Sequence, residues 1–160
     1  MIDADTFRSV LGRFASGVTI VTTRDADGDD HGMTVSAFCS LSLDPPIVLL
    51  CVDHAAAMHA MLRDHPRIGI SILSSTQETY SRRFADNSLD RGERFDGIAY
   101  GRGASGVVLL DGALAHLECT VTEHHDAGDH MVLFAAVERA TPLDGRPLLY
   151  FRGGYAQLER

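Results

Sequence analysis

The sequence lacks any apolar run approaching the roughly 18 residues that a membrane-crossing helix needs, so no membrane partner is expected. Its opening, Met1-Ile2-Asp3-Ala4-Asp5, is acidic where a secretory leader would be basic and then apolar, and the expected location is the cytoplasm. Basic residues are in deficit, with 14 Lys and Arg against 22 Asp and Glu and a net charge of −8, which gives nucleic acid no electrostatic footprint. Cysteine is sparse. Cys39, Cys51 and Cys119 are odd in number and widely spaced, and no C-x-x-C pair exists, so neither a disulfide framework nor a zinc knuckle is indicated. All three are expected to be buried thiols. Hydrolase signatures are missing as well: there is no G-x-S-x-G elbow and no H-E-x-x-H.

What is present is dominated by strand signals. An aspartate, Asp3 or Asp5, caps a first helix with Phe7, Val10, Leu11 and Phe14 on one face, ending near Ser16-Gly17. Val18 to Thr23 is β-branched throughout and predicts a strand. Beyond an Asp/Gly turn over 25–30, residues 32–42 predict a second strand and Ile47 to Val52 a third, started by Pro45-Pro46. Ala55 to Arg63 reads as helix, Arg67 to Leu73 as strand, and Thr76 to Asp86 as a second short helix. A polar connection is expected over 87–106, then a short strand at Val107 to Leu110. From Ala113 the chain alternates through Leu117, Cys119 and Val121, turns at His125 to Gly128, and returns along Met131 to Val137 as an antiparallel hairpin. Leu148 to Phe151 closes the series. Many strands and few, short helices predict a mainly β, antiparallel barrel, one domain over 1–160.

Four features invite chemical readings. Gly101 to Gly106 spells G-x-G-x-x-G, yet it leads into a strand where a dinucleotide fingerprint needs a helix, so it reads as a loop. His124, His125, Asp126, Asp129 and His130 crowd a turn without zinc-like spacing, while His54, His59 and His65 lie around a helix; these read as solvated groups, and no metal site is expected. Ser36, Ser40 and Ser42 with their small neighbours fit either polar alternation on a strand or a ligand lying against the backbone. Arg82 and Arg83, beside Phe84, suit either a phosphate or a solvated helix face.

Taken together, Phe14 to Thr23, Gly32 to Phe38, Ser40 to Pro46, Gly128-Asp129-His130 and Leu149 to Tyr155 resemble, in order and spacing, the short-chain flavin reductase family. These are the FMN-binding split-barrel reductases of two-component monooxygenases. The resemblance covers nearly the whole chain. It implies a six-stranded antiparallel split barrel and a homodimer. It further implies FMN or FAD as flavin, NADH or NADPH as hydride donor, and a monooxygenase that consumes the reduced flavin. By the same resemblance Thr34, Val35, Ser36, Ala37 and Ser40 lie along the flavin ring and ribityl chain, and Val52 and Asp53 near its tail. Arg83 and Phe84, with Arg82 beside them, fall at the phosphate end. Gly128, Asp129 and His130 form the nicotinamide-side element, with His130 facing the nucleotide, and Tyr155 edges the pocket. The family commonly carries hydroxyl residues where this chain has Ala55-Ala56-Ala57, which leaves FMN against FAD open.

Hydride transfer asks little of side chains beyond stacking and orientation, so a missing acid/base pair agrees with this chemistry. Two other classes fit the same fold: a pyridoxamine-phosphate-oxidase-like oxidase or tightly bound-flavin reductase of an organic substrate, and a non-enzymatic flavin-binding module.

Overall fold

A computed structural model of the chain describes residues 1–159. Its first element, α1 (Ala4–Leu11), is capped by Asp3, whose carboxylate accepts from the Thr6 N–H at 2.8 Å. Asp3 thus takes the cap in preference to Asp5, and the helix stops at Gly12, short of the expected Ser16-Gly17. That pair is instead a two-residue strand, β1 (Ser16–Gly17).

The main sheet begins with β2 (Thr19–Arg24) and β3 (Asp30–Val35), joined by the Asp/Gly turn. The stretch expected as one strand over 32–42 breaks at Ser36-Ala37, giving β3 and a separate β4 (Phe38–Leu43). This break is why the sheet has seven strands where six were expected. β5 (Pro46–Asp53) follows the prolines; α2 (Met58–Asp64) starts three residues later than composition suggested; β6 (Arg67–Ile72) and α3 (Glu78–Ala85) come next. The supposed polar connection holds α4 (Arg91–Phe95) and β7 (Tyr100–Arg102), which pairs with β8 (Val108–Leu110). α4 opens with a full capping box between Asp90 and Glu93.

The long hairpin is β9 (Ala115–Ala127) and β10 (His130–Pro142), turning on Gly128-Asp129 alone, so His125 and Asp126 lie in strand rather than in the turn. β11 (Leu149–Phe151) and β12 (Gly154–Ala156) form a small sheet with β1.

The seven strands run in the order β3-β2-β6-β9-β10-β5-β4, every neighbouring pair antiparallel. Its two edges, β3 and β4, are consecutive in sequence, so the sheet curls round one core with no ladder between them among the described residues. Val21, Val35, Leu50, Val52, Ile68, Ile70, Met131 and Leu133 fill that core from five strands. The β-branched β2 is buried on both faces, and its threonines are satisfied by carbonyls of other strands: Thr19 donates to that of Val35 and Thr22 to that of Val108. A second cluster, Val18, Ile20, Leu73, Phe84, Val108 and Leu148, glues α3 to the outside of the barrel. The architecture is mainly β.

Two expectations fail here. Cys39 is exposed and Cys51 only partly covered, because both belong to the outer face of the β4–β5 edge; Cys119 alone is buried, and burial pushes its thiol up to about 12. His59 and His65 are half-buried rather than on the surface. α1 buries no residue at all, and Phe7, Val10, Leu11 and Phe14 remain 50–80% exposed in the single chain.

Candidate functional site

A groove runs between β3 and α3 in three communicating lobes. The first, about 230 Å³, is lined by Val18, Thr34, Ser36, Ser81, Tyr150 and Tyr155. Thr34 and Ala85 also line the second, about 210 Å³, together with Asp53, Ala55, Ala56, Ala57, Phe84, Asn87 and Arg94. Ala57, Met58, Asn87 and Arg94 pass it on to a third of about 220 Å³, which ends at His31, Asp90 and Arg91.

Hydrogen bonds across elements hold the first lobe open. The Thr34 hydroxyl donates to the Ser81 carbonyl at 2.7 Å, tying β3 to α3, and the Ser81 hydroxyl meets the Tyr155 hydroxyl at 2.7 Å, tying α3 to β12. Tyr155 is further fixed by the Arg82 guanidinium, 4.7 Å from its ring centre, and by an edge-on Tyr150. Arg82 is itself held by Glu78 one turn earlier, and that bond raises the arginine's pKa. A rigid aromatic wall results.

Phe84 sits beneath the second lobe, 1% exposed, with Phe95 edge-on at 5.0 Å. Its ring lies so close to Gly32 that a Cβ there would come within 2.6 Å of it, so β3 can pass over α3 only as glycine. Arg94, 8% exposed, reaches in from α4, donating to the carbonyls of Gly32 and Asp86. Its Nε is buried and has no hydrogen-bond partner, and the residue lines both the second and third lobes.

Of the residues singled out by sequence, Thr34, Ser36, Asp53, Phe84 and Tyr155 line the first two lobes. Val35 and Val52 turn their side chains into the core, at 4% and 1% exposure, leaving only main chain for a ligand. Ala37 and Ser40 are exposed beyond the first lobe, the Ala37 carbonyl accepting from the Cys51 N–H. Arg82 reaches the groove's outer end beside Tyr155, whereas Arg83 turns away to the Asp96 carbonyl.

Gly128, with φ at +64°, allows the two-residue turn that presents Asp129 and His130. His130 Nδ1 lies 2.7 Å from the Asp129 carboxylate, and that bond holds Asp129 below the usual carboxylate range. In the ladder His130 is the direct partner of Asp53, so the hairpin tip stands one strand from the second lobe.

Sequence reasoning missed Arg94, Asn87 and Ser81. The helix that carries Arg94 was legible, since Asp90-x-x-Glu93 is a capping box, but nothing local marks Arg94 as turned inward.

Residues 11–159 match the family model described as flavin reductase like domain. An NADH-dependent flavin reductase from a Rhodococcus species is 46% identical over 154 residues, covering 95% of this chain and 85% of that protein. The reductase subunit of a flavin-dependent monooxygenase from Mycobacterium tuberculosis is 37% identical, covering 99% and 84%. Among solved structures, an NADH:FAD oxidoreductase from Streptomyces globisporus, in complex with NAD and FAD fragments, superposes with a TM-score of 0.90 at 35% identity, covering 99% of this chain and 96% of its own.

Proposed function

The chain belongs to the flavin reductase like domain family, and from that premise we propose that it is an NADH-dependent flavin reductase whose flavin lies in the groove between β3 and α3. The observation that carries this reading is Arg94: a buried guanidinium with an unpartnered Nε on a residue that lines the second and third lobes of the groove. Bound flavin supplies the hydride acceptor, and the nicotinamide supplies the donor.

Each part of the groove then has a task. Tyr155 and Tyr150 bound the first lobe with aromatic surface, and Ser36 lines its β3 side. Thr34 and the wall of Ala55, Ala56 and Ala57 let a chain lie close to the backbone. Arg94, with Asn87, takes the phosphate in the role that sequence gave to Arg83. His130, steadied by Asp129, orients the nicotinamide nucleotide at the hairpin tip. The third lobe gives room beyond the first phosphate, so FAD is accepted as well as FMN.

The uncovered face of α1 supports a homodimer, since Phe7, Val10 and Leu11 on it and Phe14 just beyond it are exposed apolar groups that a second copy can bury. The relative that is a monooxygenase reductase subunit supports an oxygenase that consumes the reduced flavin.

Steady-state NADH oxidation with free FMN or FAD varied tests the activity. Turnover that saturates with added flavin is expected. NADH oxidation only with an organic acceptor would favour a bound-flavin reductase, and none with any acceptor would favour a binding module.

A further inference from the structure

Beside the groove, but outside it, lies a cluster that hydride transfer does not use. One nitrogen each of His54 and His59 and a carboxylate oxygen of Asp126 lie within 4.8 Å of one another. His54 Nε2 is 3.2 Å from Asp126 Oδ1, and the two imidazoles meet edge-on with centres 4.8 Å apart. The Nε2 of His59 is buried and has no hydrogen-bond partner, which leaves a polar atom paying for desolvation without return. Two imidazoles and a carboxylate are the ligand set that zinc-like cations take from proteins.

We propose that His54, His59 and Asp126 bind one divalent transition-metal ion of the zinc type. Tetrahedral zinc with bonds of about 2.0–2.2 Å holds its ligand atoms roughly 3.5 Å apart. The His54–Asp126 separation already meets that spacing, and side-chain rotation of about an ångström brings in His59. Water completes the fourth position. Arg63 opposes the ion: it donates to both Asp126 oxygens at 2.8 Å, and a metal must take one of them from it.

The placement gives the site a consequence. His54 and His59 bracket Ala55 to Met58, the wall of the second lobe, while Asp126 stands on β9 opposite Met131, next to His130. An ion here fastens the groove wall to the hairpin that carries Asp129 and His130. The proposal rests on the cluster alone and stands whether or not the groove reduces flavin.

Calorimetric titration of zinc chloride into the chelator-treated full chain tests it, without flavin present. One ion per chain is expected. His59→Ala and Asp126→Asn should each weaken binding by roughly tenfold or more, while Arg63→Ala should tighten it by freeing Asp126. Asp126 is half-exposed, at 55% for its side chain, so its variant keeps the fold if His59→Ala does not. Cobalt(II) as a second probe should give a spectrum without the intense thiolate charge-transfer band. Absence of binding, equal binding by the Asp126→Asn variant, or a thiolate band from Cys39 or Cys51 would overturn the assignment.

Discussion

Ser105 gives both its backbone N–H and its hydroxyl to one oxygen of Glu118, the N–H at 2.7 Å, while Ala104 N–H reaches the other oxygen at 3.1 Å. The loop that spells G-x-G-x-x-G is therefore already an anion site, filled by the protein's own carboxylate from β9. Burial works to raise the Glu118 pKa, but the Ser105 and Ala104 bonds outweigh it and hold the group below the usual range. Glu118→Ala leaves these donors without a partner at a 6% exposed position, and should cost about 2–3 kcal/mol in denaturant unfolding. The NADH Michaelis constant should not move. A raised constant with stability intact would make the loop a phosphate site after all.

Arg94 is the proposed partner of the flavin phosphate in place of Arg83, which is bonded to the Asp96 carbonyl. Arg94→Ala should weaken FMN by roughly ten- to a hundredfold, the range of a charge-assisted hydrogen bond, and riboflavin far less. Because Arg94 also supports Gly32 and Asp86, the ratio of the two affinities is the readout, not FMN alone. Arg83→Ala should leave that ratio near the wild-type value. The reverse pattern in fluorescence titrations would return the phosphate to Arg83.

Asp25 predicts an acid limit to stability. The His31 hydrogen bond, helped by the Asp29 and Asp27 N–H groups, lowers its pKa from 3.8 to about 2. A carboxylate with a depressed folded pKa contributes stability above its unfolded value, and that contribution is lost as pH falls toward the folded one. Melting temperatures should drop between about pH 4 and about pH 2, and Asp25→Asn should flatten that segment. An unchanged slope in the variant would assign the acid sensitivity elsewhere.

Much of the fold was legible because its signals are local. Val18 to Thr23 could be little but strand, and Phe7, Val10 and Leu11 announced one face of a helix. What escaped depends on contacts distant in sequence. The break at Ser36-Ala37 exists because the chain must pass between the two edges of the curled sheet, and nothing local marks it. Glu118 looks like an outward strand residue until β7 and β8 lay their loop over it. Of the groove lining, Thr34, Asp53 and Tyr155 were named through resemblance, whereas the inward turn of Val52 follows from the period-2 alternation of β5. The outward turn of Arg83 is set by Asp96, thirteen residues away.

Flavin in this groove is proposed to accept hydride from NADH oriented at the hairpin tip. The most direct measurement of that transfer is anaerobic stopped-flow mixing of the flavin-loaded protein with NADH, following loss of oxidised-flavin absorbance. The wild type should bleach at a rate that saturates with NADH. His130→Ala should bleach more slowly, by up to the order of a hundredfold for a misplaced ring, or need more NADH, with flavin affinity nearly intact. Flavin that binds in the groove and stays oxidised under excess NADH would contradict the account.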